Sequence, residues 1–376
     1  MDMIYLDNAA TTKPSRAAAE AMLGSVELFA NPSSLYSFGL SAEKAVNAAR
    51  AQVAEKLSAE SRNIYFTSGG TEGNNTVIFG AAQARRRLGN HLITTRIEHP
   101  SVLEAFKKLE RDGFSVTYIA PDRNGRIRTE DVKAAANENT ILISVMHVNN
   151  ETGVIQPVEE IRDAVLPAAR NVLIHSDCVQ SFCKLGTDVK KLKVDFATVS
   201  SHKIHGFKGT GAVYIADKRY VRPLLFGGEQ QEEIRPGTEN TGGIFAFGAA
   251  AAEAKPDAEQ MRAKREHFKN RLLEEIPDIR INGSDEFNSG SILNASFVGL
   301  KAEILLHALE ARGVYVSTGS ACSSHKPQPS HVLEAMGLTA KEIGGAIRFS
   351  LDSSTTPEEL ERAVKIIKEE AANIRR

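Results

Sequence analysis

The sequence predicts an α/β fold: a large domain with a mostly parallel seven-stranded sheet, and a smaller α+β domain. Two observations lead to this prediction. Through the first two thirds of the 376 residues, short runs rich in β-branched residues alternate with amphipathic helical stretches, which is typical of parallel strands covered by helices. After Gly248 the pattern changes to a long charged helix followed by mixed strands and helices. The seven runs of the predicted sheet are 64–66, 92–95, 116–119, 141–146, 172–175, 196–199 and 212–215.

The change of pattern separates the two predicted domains. We expect the large domain to span 15–255 and the small domain to combine 1–14 with 256–376, including the loop that carries Cys322. The helical patterns have the apolar period of helices packed against a core. The predicted helices are 76–87, 101–111, 159–169, 257–275, 302–311 and one from Pro357, and the small domain adds strands at 292–298, 314–316 and 347–351.

Composition argues against several classes of protein. The formal net charge is -1, so no overall field attracts nucleic acid or a membrane surface. No apolar stretch approaches the roughly 18 residues of a membrane-spanning helix, and the N-terminus lacks the basic region and apolar core of a signal peptide. The three cysteines form neither a paired metal-ligand motif nor a disulfide framework. We therefore expect a cytoplasmic protein that binds no nucleic acid, no membrane and no metal ion.

Polar residues follow the predicted strands one after another. Ligands of α/β sheets bind at the carboxyl ends of strands, so these residues are candidates for a single site. The first segment, Thr67-Ser-Gly-Gly-Thr-Glu-Gly-Asn-Asn75, has glycines that let an anion approach free N–H groups at a helix start. A tight turn between a strand and a helix is the alternative explanation of the same residues.

Three further strand ends carry an imidazole, an amide and a carboxylate. His99 could lie flat on a pyridine ring and move protons near neutral pH, or it could simply begin a helix. Asn150 could donate to a ring oxygen or a substrate carboxylate, or hold a turn. Asp177 could keep a pyridine nitrogen protonated, with Gln180 one helical turn further and within reach of a ring hydroxyl; a helix cap is the alternative for Asp177.

Lys203 completes the series in Ser201-His-Lys203, where an apolar strand ends and glycines follow. A lone lysine is usually a solvated surface charge. Here, however, the strand ends supply a phosphate cradle, a stacking ring, partners for a ring hydroxyl and a ring nitrogen, and an amine that can bind an aldehyde covalently. Together they predict a site for pyridoxal 5'-phosphate (PLP).

The chain resembles the cysteine desulfurases of the NifS and IscS group, which are fold-type I PLP enzymes related to class V aminotransferases. The resemblance is nearly end to end, and it implies the PLP-dependent transferase fold type I. Its most specific motifs are Tyr5-Leu-Asp-Asn-Ala-Ala-Thr-Thr12, Asn31-Pro-Ser-Ser34, Thr67-Ser-Gly-Gly-Thr-Glu72, His147-Val-Asn-Asn-Glu151, Ser201-His-Lys203, Arg235-Pro-Gly-Thr238, Ser317-Thr-Gly-Ser-Ala-Cys-Ser323 and Arg348-Phe-Ser-Leu351.

The resemblance implies a role for each matching residue. Lys203 would bind the PLP aldehyde, Asp177 would pair with the ring nitrogen, and His99 would stack on the ring. Arg348 would grip the substrate carboxylate, a task that suits its bidentate fork. A homodimer is implied because Thr238 would reach the phosphate of the other subunit. The remaining implied ligands are Gly70, Thr71, Ser200 and His202 for the phosphate, Gln180 for the phenolic oxygen, Asn150 for the ring oxygen or the substrate, and Asn31 for the substrate.

Cys322 lies among small residues without a hydrophobic period, which indicates an exposed loop. Cys178 and Cys183 are expected to be buried and structural. The resemblance implies that L-cysteine is the substrate, that its sulfur becomes a persulfide on Cys322, and that L-alanine is released while His99 shuttles protons. An acceptor protein, such as an iron–sulfur scaffold or a tRNA-thiolation protein, would then take the sulfur. A selenocysteine lyase or another class V PLP enzyme is the alternative, although an aminotransferase would have no use for Cys322.

Two departures from the family pattern bear on partners. Where the family usually reads Gly-Gly-Gly-Gln-Glu-Arg-Gly, this chain has Gly-Gly-Glu-Gln-Gln-Glu-Glu over 227–233, so Glu229 and Glu232 make the expected substrate entrance more acidic. The sequence also ends at Arg376, before the longer tail of members that feed a scaffold. We therefore do not expect a partner that recognises such a tail.

Overall fold

A computed structural model of the chain describes residues 3–318 and 329–375. The strands in this part of the chain are β1 (Ile4–Tyr5), β2 (Ile64–Thr67), β3 (His91–Thr95), β4 (Ser115–Ile119), β5 (Thr140–Ser144), β6 (Leu173–Asp177), β7 (Phe196–Ser200), β8 (Gly211–Ile215), β9 (Ile279–Asn282), β10 (Ile292–Phe297), β11 (Val314–Tyr315) and β12 (Ala346–Ser350). The helices are α1 (Arg16–Glu27), α2 (Ser37–Lys56), α3 (Gly70–Arg85), α4 (Pro100–Arg111), α5 (Thr129–Ala135), α6 (Val158–Val165), α7 (Thr241–Glu253), α8 (Ala258–Glu275), α9 (Ala302–Ala311), α10 (His331–Ala335), α11 (Ala340–Gly344) and α12 (Pro357–Arg375).

The large sheet has seven strands in the order β2-β8-β7-β6-β5-β3-β4. Strands β4, β3, β5, β6 and β7 run parallel to one another, whereas β8 is antiparallel to both β7 and β2. Every residue of the four central strands β3, β5, β6 and β7 is buried. This burial agrees with the apolar and β-branched residues in these strands, because helices cover both faces of a parallel sheet. The predicted mostly parallel seven-stranded sheet is confirmed.

The boundaries of some elements differ from the prediction where glycine or polar residues occur. Helix α3 begins at Gly70 rather than at residue 76, because the amide of Gly73 already donates to the carbonyl of Gly69 at 3.1 Å. Strand β6 continues to Asp177, which pairs with Thr198 of β7, so its polar end is inside the sheet. Strand β5 ends earlier, at Ser144, and helix α6 ends at Val165. Helices α1 and α2 were not predicted.

The C-terminal region folds around a second sheet, with the order β12-β10-β9 and all its pairs antiparallel. Its core joins Phe268, Phe297 and Phe349 with Ile4 and Leu6 from the start of the chain. Strand β1 pairs in parallel with β11, which brings the N-terminal segment into this region. Helix α10 packs instead in the core of the large sheet, through residues 332 and 333. The division at 15–255 stays a prediction.

Within residues 3–318 and 329–375, no helix combines the length and the apolar composition that crossing a membrane requires.

Candidate cofactor and substrate site

Lys203 ends a short 3-10 turn, Ser201–Lys203, that directly follows strand β7. Its Nζ donates to the backbone carbonyls of Ala9, at 2.6 Å, and Ala10, at 2.8 Å. The same N-terminal segment is tied to the turn by Thr12, whose N–H donates to the carbonyl of His202 at 2.9 Å. The N-terminal segment therefore lies against the lysine and fixes the position of its amine.

Asp177 ends the neighbouring strand β6, and only 6% of its surface is exposed. Its Oδ2 accepts a hydrogen bond from Asn74 Nδ2 at 2.8 Å, and its Oδ1 accepts one from the backbone N–H of Val179 at 3.0 Å. Both donors are neutral, so neither of these contacts pairs the carboxylate with a cation. A buried carboxylate of this kind is suited to hold a protonated ring nitrogen.

Asn74 connects Asp177 to His99. Its Nδ2 also donates to Ser101 Oγ at 2.9 Å, and Ser101 Oγ lies 2.8 Å from His99 Nδ1. Sequence analysis gave Asn74 and Ser101 no role. A signal was available for Asn74, because it lies on the buried face of α3, which is otherwise made of small and apolar residues such as Val77.

His99 caps helix α4, and its Nδ1 accepts the backbone N–H of Ser101 at 3.1 Å. Because a backbone N–H can only donate, the neutral imidazole carries its proton on Nε2. Burial lowers the pKa of His99; the charge of Asp177 raises it, and the charges of Lys203 and His331 lower it further. The ring is therefore neutral near pH 7 and lies within the electrostatic range of both Asp177 and Lys203.

The predicted phosphate ligands lie at the start of α3 and the end of β7. The first N–H groups of α3, from Gly70 onward, have no acceptor within the helix. A Cβ at Gly70 would come within 2.9 Å of Val179 Cγ2, so a side chain would crowd this position. Among residues 3–318 and 329–375, the hydroxyls of Ser200 and Ser201 are buried without a hydrogen-bond partner. Thr71 is exposed in the first turn of the helix. Donors without a partner in the described residues thus lie at the end of β7 and the start of α3, and such donors suit an anion.

His202 and Gln180 complete the predicted cofactor side. His202 Nδ1 lies 3.2 Å from Thr11 Oγ1, and burial together with the nearby charge of Lys203 lowers the pKa of His202 to about 4. It can therefore offer a hydrogen bond but no charge near neutral pH. Gln180 is 4% exposed, and its Nε2 donates to the carbonyl of Ala9 at 2.9 Å. That carbonyl also accepts from Lys203, so the amide and the amine lie side by side.

Glu98 is a buried carboxyl group next to His99, and sequence analysis gave it no role. Its Oε1 accepts the N–H of Met146 and the hydroxyl of Thr95, both at 2.9 Å. Its Oε2 is buried and has no partner within the two described ranges. Burial raises the pKa of Glu98 to about 8, with a further increase from the charge of Asp177. The group is therefore protonated near pH 7.

The predicted substrate ligand Arg348 lies in β12 and is 4% exposed. It donates from Nη1 to the backbone carbonyl of Asn150 at 2.9 Å and from Nη2 to Asp7 Oδ1 at 2.8 Å. Its Nε is buried and without a partner in the described parts of the chain. Arg348 therefore has donor capacity left for a carboxylate. Asn150 contributes its carbonyl here, and sequence analysis did not assign Asp7 a role.

Two other predicted ligands do not join this cluster through their described contacts. Asn31 is exposed, and its Oδ1 accepts the N–H of Ser33 at 2.9 Å, which makes a local turn. Thr238 is exposed in the segment before α7. Their roles toward substrate and toward the other subunit's phosphate stay predictions.

Of the three cysteines, Cys322 lies outside the described residues. Cys178 is completely buried and Cys183 is half-buried. Burial raises the pKa of each of these two thiols to about 12. Because the thiolate is the reactive form, neither is suited to attack a sulfur atom, in agreement with the structural role predicted for them.

The acidic segment 229–233 has an unusual backbone. Gln231, Glu232 and Glu233 have φ angles of 47, 52 and 66°, in the left-handed region that favours glycine. The side chain of Gln231 accepts the N–H of Phe66 at 2.9 Å, which holds the segment against β2. Glu232 forms an ion pair with Lys218 at 2.8 Å. Because Glu232 is paired with a lysine, the negative charge expected in this segment comes chiefly from Glu229 and Glu233.

Together these residues fit PLP. The orphaned hydroxyl of Ser200 and the start of α3 suit a phosphate, the Asp177 carboxylate suits a ring nitrogen, and Lys203 offers an amine beside Gln180. The aminotransferase class-V family model matches residues 4–363, and this match decides the class of the protein. The chain belongs to the class V aminotransferase family. It is therefore a PLP-dependent enzyme.

Class V relatives and solved structures resemble the chain over nearly its whole length. A putative cysteine desulfurase IscS 1 of Bacillus subtilis is 42% identical over 97% of each chain. A cysteine desulfurase IscS of Methanosarcina thermophila is 40% identical over 99% of this chain and 93% of its own. A solved NifS-like protein superposes with a TM-score of 0.93 at 34% identity, covering 99% of this chain and 100% of the other. The structure described as SspA in complex with cysteine has a TM-score of 0.83 at 35% identity, covering 92% and 98%. These similarities confirm the fold and the cysteine desulfurase group.

Proposed function

We propose that the chain is a cysteine desulfurase, which transfers the sulfur of L-cysteine to its own Cys322 and releases L-alanine. The observation that carries this proposal is the arrangement of Lys203, His99 and Asp177 at one sheet edge, next to Arg348. Within residues 3–318 and 329–375, the Nε of this arginine has no hydrogen-bond partner. The class V relatives support the choice of substrate, since they include cysteine desulfurases at about 40% identity and a structure in complex with cysteine.

Some residues of the site bind the cofactor or the substrate, and others transfer protons. When bound, PLP supplies an aldehyde for a covalent link to an amine and a ring that accepts electrons as the substrate Cα loses its proton. Asp177 holds the ring nitrogen protonated, and the donors around Ser200 and Gly70 hold the phosphate. Lys203 Nζ moves the Cα proton, and the Nε2 proton of neutral His99 is available for transfer to the substrate. Arg348 fixes the substrate carboxylate.

Sulfur transfer requires a nucleophile close to the substrate. Ser317 pairs through its backbone with Arg348, at N–O distances of 3.2 and 2.6 Å, and the sequence places Cys322 a few residues further along. In the overall reaction the C–S bond of L-cysteine is replaced by a C–H bond in alanine. The S–H bond of Cys322 is replaced by an S–S bond, so that a persulfide forms without an added oxidant or reductant.

The decisive experiment compares Cys322→Ser with Cys183→Ser. We expect Cys322→Ser to stop formation of alanine from L-cysteine and to leave no persulfide adduct by mass spectrometry. Cys183→Ser should retain wild-type rates because that thiol is half-buried with a raised pKa. If Cys322→Ser produced alanine and sulfide at the normal rate, the persulfide mechanism would be wrong. The same assay with L-selenocysteine tests the selenocysteine lyase alternative.

A second experiment tests whether Lys203 is the cofactor-binding amine. Purified wild-type protein with PLP should show the absorbance band of a protonated Schiff base, and Lys203→Ala should lose it. Lys208→Ala, which removes an exposed lysine on the same segment, should retain the band. A protein that kept the fold only for interaction would show no band, and an unchanged band in Lys203→Ala would contradict our assignment.

We further propose that the enzyme is a cytoplasmic homodimer. It passes sulfur to an acceptor protein, either for iron–sulfur cluster assembly or for the synthesis of thio-cofactors or thiolated tRNA. Support for a dimer comes from large apolar side chains that the single chain leaves exposed, such as Leu35 at 93% and Phe226 at 90%. The family resemblance also implies one, because in it Thr238 reaches the phosphate of the other subunit. Light scattering should give twice the 40.8 kDa chain mass. A monomer that remained fully active would contradict this proposal, and labelled persulfide chased with candidate acceptors would identify the partner.

A further inference from the structure

Lys184 belongs to a hydrogen-bonded chain that ends at Lys203, yet neither the family motifs nor the reaction above gives it a role. Its Nζ donates to Gln180 Oε1 at 3.2 Å. Gln180 Nε2 donates to the carbonyl of Ala9 at 2.9 Å, and the same carbonyl accepts from Lys203 Nζ at 2.6 Å. Two lysines are thus connected through one amide and one carbonyl.

This chain of hydrogen bonds fixes the direction of the Gln180 amide. The carbonyl of Ala9 can only accept, so Gln180 Nε2 faces Ala9 and the site, and Oε1 faces Lys184, whose Nζ can donate to it in either protonation state. Gln180 is 4% exposed, which leaves little access for water to replace a lost partner. Without Lys184, Oε1 would lose its donor in a place with little access to water, and the Ala9 carbonyl alone would hold the amide in this orientation.

Lys184 is also close enough to Lys203 for their charges to interact. Burial lowers the pKa of Lys184 to about 7, and the charge of Lys203 is the next cause; Asp352 acts in the opposite direction, and Arg348 adds a further decrease. Both lysines line one cavity of about 630 Å³ between the N-terminal segment, the end of α7 and residues 351–354. Lys184 is therefore placed beside the site rather than on the outer surface.

We propose that Lys184 is a positioning residue of the cofactor site, which holds the Gln180 amide with Nε2 turned toward the site and thereby sets how tightly PLP binds. The inference rests on the PLP site of the proposed function and extends it to a residue that acts through Gln180 rather than on the reacting atoms. The ring oxygen that we predict for Gln180 requires a donor, which the fixed orientation supplies.

The test measures PLP affinity of the apoenzyme by titration followed through absorbance and intrinsic fluorescence. Lys184→Met should weaken PLP binding by about tenfold, which is the scale expected when a buried acceptor loses its donor. Lys184→Arg, which keeps donor and charge, should stay within about threefold of wild type. The Gln180→Ala and Lys184→Met double variant should bind PLP no more weakly than Gln180→Ala alone, because both changes remove one interaction. Lys190→Met, an exposed lysine on the same segment, is the matched control.

Each outcome decides the inference. Wild-type affinity in Lys184→Met, or weakening that adds to that of Gln180→Ala, would overturn it. If Lys184→Met does not fold by circular dichroism, Lys184→Ala decides instead, because alanine also removes the donor. PLP affinity equal to that of Lys190→Met would then overturn the inference. If the wild-type chain itself binds no PLP, the proposed function fails first, which separates the two failures.

Discussion

The cofactor side and the substrate side of the site are stabilised in different ways. On the cofactor side, Asp177 receives two neutral donors, and Asn74 links it to Ser101 beside His99. On the substrate side, Arg348 already holds an anion, Asp7, and has one buried donor without a partner in the described ranges. On the cofactor side Asp177 is thus held by neutral donors, whereas on the substrate side Arg348 is paired with a carboxylate that the substrate would displace or share if Arg348 binds it as we propose.

The difference follows from where the residues lie in the chain. Asp177 ends β6, and Lys203 lies in the turn directly after the neighbouring strand β7, so the sheet geometry alone brings them together. Asp7, Asn150 and Arg348 come from three distant segments and meet only when both ends of the chain fold onto β12. We expect the cofactor side to govern the rate of the reaction and the substrate side to govern the affinity for cysteine.

The largest effect should come from Asp177→Asn. Asparagine can still accept from Asn74, but it carries no charge to keep a ring nitrogen protonated, so kcat should fall on the order of hundredfold. Steady-state alanine formation measures this, with Asp163→Asn as a control that removes an exposed carboxylate. A variant that kept near wild-type kcat would show that the cofactor side does not depend on this charge.

Arg348→Lys should act on the substrate side of the site. The planar fork that holds Asp7 and the Asn150 carbonyl becomes a single ammonium group, so we expect KM for L-cysteine to rise by about tenfold, with a smaller change in kcat. The control is Arg280→Lys in β9, which changes an exposed ion pair with Glu342. If kcat fell and KM did not change, the division between the two sides would be wrong.

Asp7→Asn tests whether the substrate competes with an internal anion, because it removes the negative charge of Asp7 and leaves the Arg348 guanidinium unchanged. We expect KM to fall by about threefold and the free energy of unfolding to decrease by about 1 kcal/mol, because Arg348 loses a partly buried partner. Kinetics and urea unfolding measure the two effects on the same sample. A higher KM would mean that Asp7 orients Arg348 rather than competing with the substrate.

Much of the cofactor side could be predicted from sequence, because residues that follow parallel strands of one sheet meet at the same edge. Once seven β-branched runs indicate a parallel sheet, residues that follow each run must share an edge, as Asp177 and Lys203 do. Helices without a clear apolar period could not be predicted from the sequence. Helix α2 buries mostly small residues, among them Gly39 and Ala42, so its apolar period is weak and it was not predicted.

Contacts between distant segments could not be predicted from sequence. The Asn74–Asp177 hydrogen bond depends on how α3 packs on β6, and the Asp7–Arg348 pair depends on β1 and β12 meeting. Periodicity predicts elements but carries no information on which side chains face each other across them. Glu98 shows the same limit, since only burial distinguishes it from an ordinary surface glutamate.

The smallest effect on activity, and a distinct effect on stability, should come from Glu98→Gln. The pKa of Glu98 is about 8 in the folded protein and near 4.5 when unfolded, so the folded state binds the extra proton between these values. The stability that this proton contributes is fully present below pH 4.5 and is lost as the pH rises toward 8, with a slope of at most about 1.4 kcal/mol per pH unit. Glutamine resembles the protonated carboxyl, so Glu98→Gln should remove this slope and be the more stable protein at pH 8. Urea unfolding at pH 5 and pH 8 measures this slope, with exposed Glu104→Gln as the control. Equal slopes in wild type and Glu98→Gln would mean that Glu98 is ionised in the folded protein and is one of the charged groups of the site.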